Sequence, residues 1–278
     1  MLTNAKIKEI HKLNEKSKAR REAGLFVTEG PKMFMEAPLE WVEEVYVTQE
    51  FLDRIDREAS ALTGSDSGDK SLRISEMIGW METEIVTDEQ MNKISDTQTP
   101  QGILCILRQP GYTLDDILSH KGRKDDDRKL VMVLEDIQDP GNLGTIFRTA
   151  EGAGVSGIIL SEGCVDIYNP KTVRSTMGSI YRVPFIYTDS LKDAAGRLKQ
   201  EGITVYAAHL KGEASYDDIE YGDSAFLIGN EGSGLKDETA ALADTYIRIP
   251  MEGELESLNA SVAASILMYR HYGVRPGR

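Results

Sequence analysis

Residues 130–154 read LVMVLEDIQDPGNLGTIFRTAEGAG, and this stretch decides the class of fold. LVMVL is an unbroken apolar run of strand length, the pattern of a strand covered on both faces in a parallel sheet. Pro140-Gly141 then turns the chain and Asn142 is a good N-cap. Leu143, Ile146, Phe147 and Ala150 fall within one arc of the helix that follows, with Arg148 nearly opposite. A strand that turns into an amphipathic helix is the unit of open α/β sheets.

The same texture continues downstream through GIILS (157–161), TVYAA (204–208), FLIG (226–229) and YIRIP (246–250), separated by glycine turns and helical stretches. These runs predict buried parallel strands, with ligand beyond their carboxyl ends. Upstream lies a smaller α/β pattern. It has an amphipathic helix over 5–21, a strand over 25–28, a Gly30-Pro31 boundary opening a helix to Ala37, and a strand over 42–47. A helix over 51–62, a Gly/Ser/Asp loop over 63–70 and a last apolar run over 103–107 complete it. Residues 119–129, SHKGRKDDDRK, carry no large apolar side chain. The expected division is a first domain over 1–112, a linker over 113–128 and a second domain over 129–278.

The net charge of −14 argues against a binder that works by bulk positive charge. Residues 1–32 are the exception, with eight Lys and Arg against four Glu; a basic arm that touches phosphate is one reading, and a solvated helix face is the plainer and favoured one. No apolar run approaches membrane-spanning length, and residues 1–21 lack the apolar centre of a secretory signal, so a cytoplasmic location is expected. Cys105 and Cys164 lack CxxC spacing and the histidines are scattered, which predicts free thiols and no metal site.

Chemistry has to come from three loops. The first, after Glu135, offers Asn142 and Arg148, a guanidinium suited to phosphate or a developing alkoxide and equally consistent with an ordinary exposed arginine. The second, FLIGNEGSGL (226–235), has glycines that admit close backbone approach, and Glu231 is its one charged group. A carboxylate there orients an amide or guanidinium better than it cradles phosphate; a tight structural turn is the plain alternative. The third runs through Ile249-Pro250-Met251 into a helix beginning near Leu258, with Val262, Ile266 and Tyr269 as its buried stripe. Ser257 and Asn259 at its start either cap the helix or bind a substrate hydroxyl. A nicotinamide site fits poorly, because Gly141 and Gly144 lack the G-x-G-x-x-G spacing.

Together, Asn142-Leu143-Gly144 with Arg148, Gly229-Asn230-Glu231-Gly232 with Gly234-Leu235, and Ile249-Pro250-Met251 with Ser257-Leu258-Asn259 resemble, in order and spacing, the three motifs of the SpoU (TrmH-like) family of RNA ribose 2′-O-methyltransferases, in the SPOUT superfamily. Residues 4–107, including Phe26 to Gly30, resemble the small RNA-substrate-binding domain often attached to these enzymes. The resemblance implies an α/β domain tied in a trefoil knot, a homodimer formed through it, and S-adenosylmethionine as cofactor. It places the donor against Leu227, Ile228, Gly229, Gly234, Ile249, Pro250, Met251, Ser257 and Leu258. Ala260 stands where the family commonly has valine. Asn142, Arg148, Glu231, Ser257 and Asn259 are the implied catalytic group. Since arginine stays protonated, Arg148 is expected to anchor phosphate and stabilise the forming alkoxide rather than act as a base, with Glu231 holding Asn or Arg in place. The implied substrate is ribosomal RNA, with transfer RNA or a non-catalytic RNA-binding role as alternatives.

Overall fold

The structure, a computed structural model, describes residues 2–60, 70–122, 127–254 and 257–273. Residues 63–69 of the expected loop and 123–126 of the expected linker lie outside them. The chain divides into two compact units, Met1–Pro110 with Asp166–Tyr181, and Gly111–Val165 with Arg182–Arg278.

The first unit opens with α1 (Asn4–Glu15), capped by Thr3, whose hydroxyl accepts from the Lys6 amide. Lys16 is extended, so the single helix expected over 5–21 is two, the second being α2 (Ser17–Ala23). There follow β1 (Leu25–Glu29), α3 (Pro31–Glu36) with Pro31 in its first turn as expected, β2 (Val42–Thr48), α4 (Gln49–Ser60), α5 (Lys70–Gly79), β3 (Thr83–Val86), α6 (Asp88–Ile94) and β4 (Ile103–Arg108). The sheet order is β1-β4-β2-β3, antiparallel except between β2 and β3. Ile10 and Leu13 of α1 and Met91 and Ile94 of α6 pack on Val27, Leu104 and Ile106. The later segment, with its helix Pro170–Thr176, is tied in by Asp166. Its carboxylate takes the Nε and Nη2 donors of Arg20 at 2.8 and 2.7 Å, while Nη1 donates to the carbonyls of Leu13 and Asn14. That guanidinium is 2% exposed, a charge buried only because every side is paired.

The second unit begins with α7 (Leu114–Ser119). This helix lies inside the stretch expected as linker, yet its Ile117 is fully buried in this unit's core. Then come β5 (Leu130–Leu134), α8 (Pro140–Ala153), β6 (Gly157–Ser161), the Pro170–Thr176 helix of the first unit as α9, β7 (Phe185–Thr188), α10 (Leu191–Gln200), β8 (Thr204–Ala208), β9 (Ala214–Ser215), β10 (Ser224–Ile228), α11 (Asp237–Ala240), β11 (Thr245–Arg248) and α12 (Ala260–Gly273). The sheet runs β7-β6-β5-β10-β8-β11-β9 with every pair parallel. The expected parallel strands are present; β7 and β9 are additional. From β5 the chain steps outward to β6, while β10 returns to the other flank of β5, so the loops leaving β5 and β10 border a topological switch point.

Two sequence expectations need correction. The N-cap of α8 is Asp139, whose carboxylate accepts from the Asn142 amide at 2.8 Å. With Pro140 at the first position, Asn142 falls inside the first turn and its side chain is spared for other work. On α12 the expected stripe of Val262, Ile266 and Tyr269 is not the buried face: Val262 and Tyr269 are 47% and 51% exposed and Ile266 is half-buried. The buried face is Ala264, Leu267, Met268 and His271, with Ala260 and Ser261 at its start. The helix is apolar on both sides, and its small residues admit close approach to α8 and β10. The stripe on α8 is as read: Leu143, Ile146, Phe147 and Ala150 are fully buried and Arg148 is exposed.

Candidate active site

Leu134 and Ile228 are register partners, so the loops leaving β5 and β10 start level and side by side. They are braced reciprocally by two carboxylates. Glu135, buried at the end of β5, reaches the loop after β10 and accepts from the Lys236 amide at 2.8 Å and the Thr239 hydroxyl at 2.5 Å. Glu231, in the loop after β10, reaches back and accepts from the amides of Gln138 and Asp139, both at 3.1 Å, and from Asn142 Nδ2 at 2.9 Å. Asn230 adds a third strut, donating to the Asp136 carbonyl at 2.8 Å while its Oδ1 takes the Gly232 and Ser233 amides. Asp136 has φ 53, a strained conformation for a non-glycine. It is held by Lys236 and by an exchange of hydrogen bonds with the Ser161 hydroxyl.

The third loop joins through Asn259. Its Nδ2 donates to Asn142 Oδ1 at 3.0 Å, while its Oδ1 accepts from the amides of Ser261 and Val262 at the start of α12. Asn259 therefore caps the helix and touches the site, so the two roles left open by the sequence coexist. Ser261, which sequence reasoning missed, donates toward both Asn259 Oδ1 (2.7 Å) and Asn142 Oδ1 (3.3 Å). Its signal was its place on the turn of the helix that faces Asn142. Asn142 is thus the node of all three loops, and one of its two Nδ2 hydrogens remains for a ligand.

Burial raises the Glu231 carboxyl, but hydrogen bonds from Asn142 and from the amides of Glu231, Gln138 and Asp139 outweigh it and hold the group below its ordinary value. Lys236 and Ser161 likewise lower Asp136. Both are anions at neutral pH.

A cleft of about 490 Å³ lies over this network, lined by Gln138, Asp139, Asn142, Asn230, Glu231 and the Ser257–Asn259 turn. The structure thus brings together Asn142, Glu231, Ser257, Leu258 and Asn259. It does not bring in Arg148, which is exposed elsewhere on α8 and has no ion pair or hydrogen bond among the described residues. Leu227 points into the core with Val131 and Val133, and Ile228 is also buried, so these two can offer a ligand only backbone. Gly229 has a mainly structural duty: a Cβ there would lie 2.2 Å from the backbone of Gly234 and Leu235. Gly234 closes that turn at φ 70. Ile249, Pro250 and Met251 follow β11 and do not line the cleft. Cys105 and Cys164 are buried free thiols. Among the described residues no cluster of three His, Cys, Asp or Glu could hold a metal ion, and no helix is long and apolar enough to cross a membrane.

Residues 129–269 match the model of the SpoU rRNA Methylase family, and residues 4–105 match that of the MRM3-like substrate binding domain. The chain is 31% identical, over 97% of its length and 97% of the relative's, to the 23S rRNA (guanosine(2553)-2'-O)-methyltransferase RlmP of Bacillus subtilis. An AdoMet-bound rRNA methyltransferase from Sinorhizobium meliloti superposes with a TM-score of 0.75 at 29% identity, covering 98% of this chain and 95% of that one. The SpoU methyltransferase AviRb of Streptomyces viridochromogenes, solved with AdoMet, shares the fold at a TM-score of 0.80 and 23% identity, covering 98% of each chain.

Proposed function

The chain belongs to the SpoU rRNA methylase family, and on that footing we propose that it methylates a ribose 2′-hydroxyl of ribosomal RNA with S-adenosylmethionine as donor. The observation that carries the site assignment is the Glu231–Asn142–Asn259 chain of hydrogen bonds, which joins the three loops beneath one cleft. The donor fits that lining: Asp139 and Glu231 suit a ligand whose sulfonium is cationic, and the volume lies in the range of small-molecule sites. When bound, S-adenosylmethionine would supply an electrophilic methyl group for the ribose oxygen, leaving as S-adenosylhomocysteine, with the hydroxyl proton passing to water.

The protein's part is positioning. Of the residues expected to hold the donor, Ser257 and Leu258 line the cleft; Gly229, Gly234 and Ile249 would offer backbone to the adenosine beside it, and Leu227, Ile228, Pro250 and Met251 would shape the support behind. Ser257 and Asn259 would orient the ribose, with Asn142 held by Glu231. Fixed amides suit this role, since in-line geometry supplies much of the barrier reduction.

Arg148 belongs to the proposal through a second copy of the chain. It shares an outward surface with Val262 and Tyr269: Tyr269 lies over Gly152, and Thr149 is 3.1 Å from Ser265. A homodimer packed on that apolar face would carry Arg148 toward the partner's cleft, where it anchors phosphate and stabilises the forming alkoxide. The knot is supported by β11, which lies between the consecutive strands β8 and β9, with Gly212 packed on the backbone of Ile247 and Arg248. A cytoplasmic enzyme is the setting that fits a ribosomal substrate.

Two measurements test the function: calorimetric titration with S-adenosylmethionine, and mapping of ribose methylation in total RNA from cells with and without the gene. A single ribosomal site lost with the gene is expected. Unchanged methylation together with no donor binding refutes the proposal.

A further inference from the structure

The first unit contains a cavity of about 250 Å³ that methyl transfer leaves unused. We propose that it takes one unpaired nucleobase of the RNA substrate, stacked on the Arg54 guanidinium and read along its edge. The proposal rests on the RNA-modifying function above and states where this unit grips.

Arg54 sits on α4 with its Cζ 5.1 Å from the centroid of the Phe51 ring. It has no ion pair or hydrogen bond among the described residues, although the carboxylates of Glu50 and Asp88 line the same cavity. A planar cation stacked on a ring and exposed on its other side is the surface on which splayed RNA bases stack. Phe51 and Met91 supply the apolar floor, while Asn92 and Gln101 offer amides at the rim. The mixture excludes simpler occupants. Two carboxylates oppose a phosphate, the guanidinium opposes a cation, and the polar rim opposes a purely apolar ligand. What fits is a flat, neutral group with a hydrogen-bonding edge. Because carboxylates accept but do not donate, they favour an edge with an exocyclic amino group, as in adenine, cytosine and guanine, over uracil, whose single N3–H is flanked by two carbonyl acceptors that the carboxylates oppose.

The wall facing Arg54 is built rather than incidental. Glu29, 7% exposed, accepts from the Ser95 hydroxyl at 2.6 Å, the Thr97 hydroxyl at 2.9 Å and the Gln101 amide at 3.0 Å, pinning the loop that ends at Gly102. Gly102 has φ 80, and a Cβ there would lie 2.8 Å from that of Phe51, so loop and floor meet where no side chain could stand.

The test is fluorescence anisotropy at low salt with adenosine, cytidine and uridine RNA octamers, on the full chain and on Arg54→Ala and Arg54→Lys. Donor affinity by calorimetry controls for folding. Wild type is expected to favour the adenosine and cytidine octamers over uridine, and both variants to lose about tenfold with donor binding unchanged. Full retention by Arg54→Lys would make the contact one of charge and overturn stacking. Equal binding of all three octamers, no octamer binding by wild type, or an unaffected Arg54→Ala would overturn the pocket. Each of these can occur while wild type still methylates ribosomal RNA, so the pocket can fail and the function stand. Absent methylation and donor binding would remove the function instead.

Discussion

Replacing Asn142 with alanine separates the folding role of the network from its positioning role. The change deletes a charge-assisted hydrogen bond to Glu231 at 2.9 Å and the bond from Asn259 at 3.0 Å. Fully buried, such bonds contribute roughly 1.5–3 and 0.5–1.5 kcal/mol. Both border an open cleft where water replaces them, so the cost to folding should be about 1 kcal/mol, a fall in Tm of roughly 2–4 °C. Turnover should suffer more, because the three loops then share no node. A misplacement of about 1 Å costs about a hundredfold, or about 2.7 kcal/mol of barrier. Single-turnover methyl transfer at saturating donor, alongside thermal melting, measures the two separately. The double variant Asn142→Ala/Glu231→Gln should fall short of the sum of its parts, since the two side chains act as one unit. A turnover within twofold of wild type, or a loss no greater than the unfolded fraction, would refute this account of the network.

The remaining expectations concern charge and assembly. Glu231 is held below its ordinary pKa near 4.5, so its bracing is complete above that value and is lost as pH falls through the lower folded one. Donor affinity measured by calorimetry should therefore hold down to about pH 4.5 and drop only as pH falls further. Glu231→Gln should bind more weakly at neutral pH and lack that acid limb. Asp166→Ala leaves the buried Arg20 without its partner and should cost about 3 kcal/mol, about 10 °C in Tm by calorimetry. Arg20→Met/Asp166→Leu should recover most of it, and equal losses would deny that the unpaired charge is the cause. Val262→Asp should shift sedimentation from dimer to monomer and abolish methylation. Mixing Arg148→Ala with Asn142→Ala subunits should restore activity above that of either alone, whereas no recovery would refute the delivery of Arg148 to the partner's cleft.

Much of the fold is legible where burial is simple. LVMVL and FLIG read as central strands because both faces of a parallel sheet are covered, leaving no polar alternation to confuse. Legibility fails where a segment's partner is remote. The Asp166–Tyr181 stretch belongs to the first unit through Arg20, which no local pattern reveals. The outward turn of Val262 and Tyr269 was hidden because α12 has two apolar faces, and periodicity cannot say which one meets the sheet. The motif residues Asn142, Glu231 and Asn259 were visible as types at turns. Their meeting depends on β10 lying beside β5, a long-range pairing, and on Asp139 taking the capping duty that Asn142 was expected to perform.

That division of labour also bears on how so acidic a chain can work on a polyanion. The carboxylates around the cleft are already engaged: Glu135 with Lys236 and Thr239, Asp136 with Lys236 and Ser161, Asp139 with the start of α8, and Glu231 with three N–H donors. Their charge is delocalised over backbone amides and matched by a lysine, which reduces the repulsion an incoming phosphodiester would meet. The groups left to face a ligand are the uncharged amides of Asn142 and Asn259 and the hydroxyl of Ser257. Arg148, a cation exposed and unpaired among the described residues, stands outside the cleft. A site whose own acids are spent on bracing its loops needs its positive charge delivered from elsewhere, and in the proposed dimer the apolar face that Arg148 shares with Val262 and Tyr269 would provide the route.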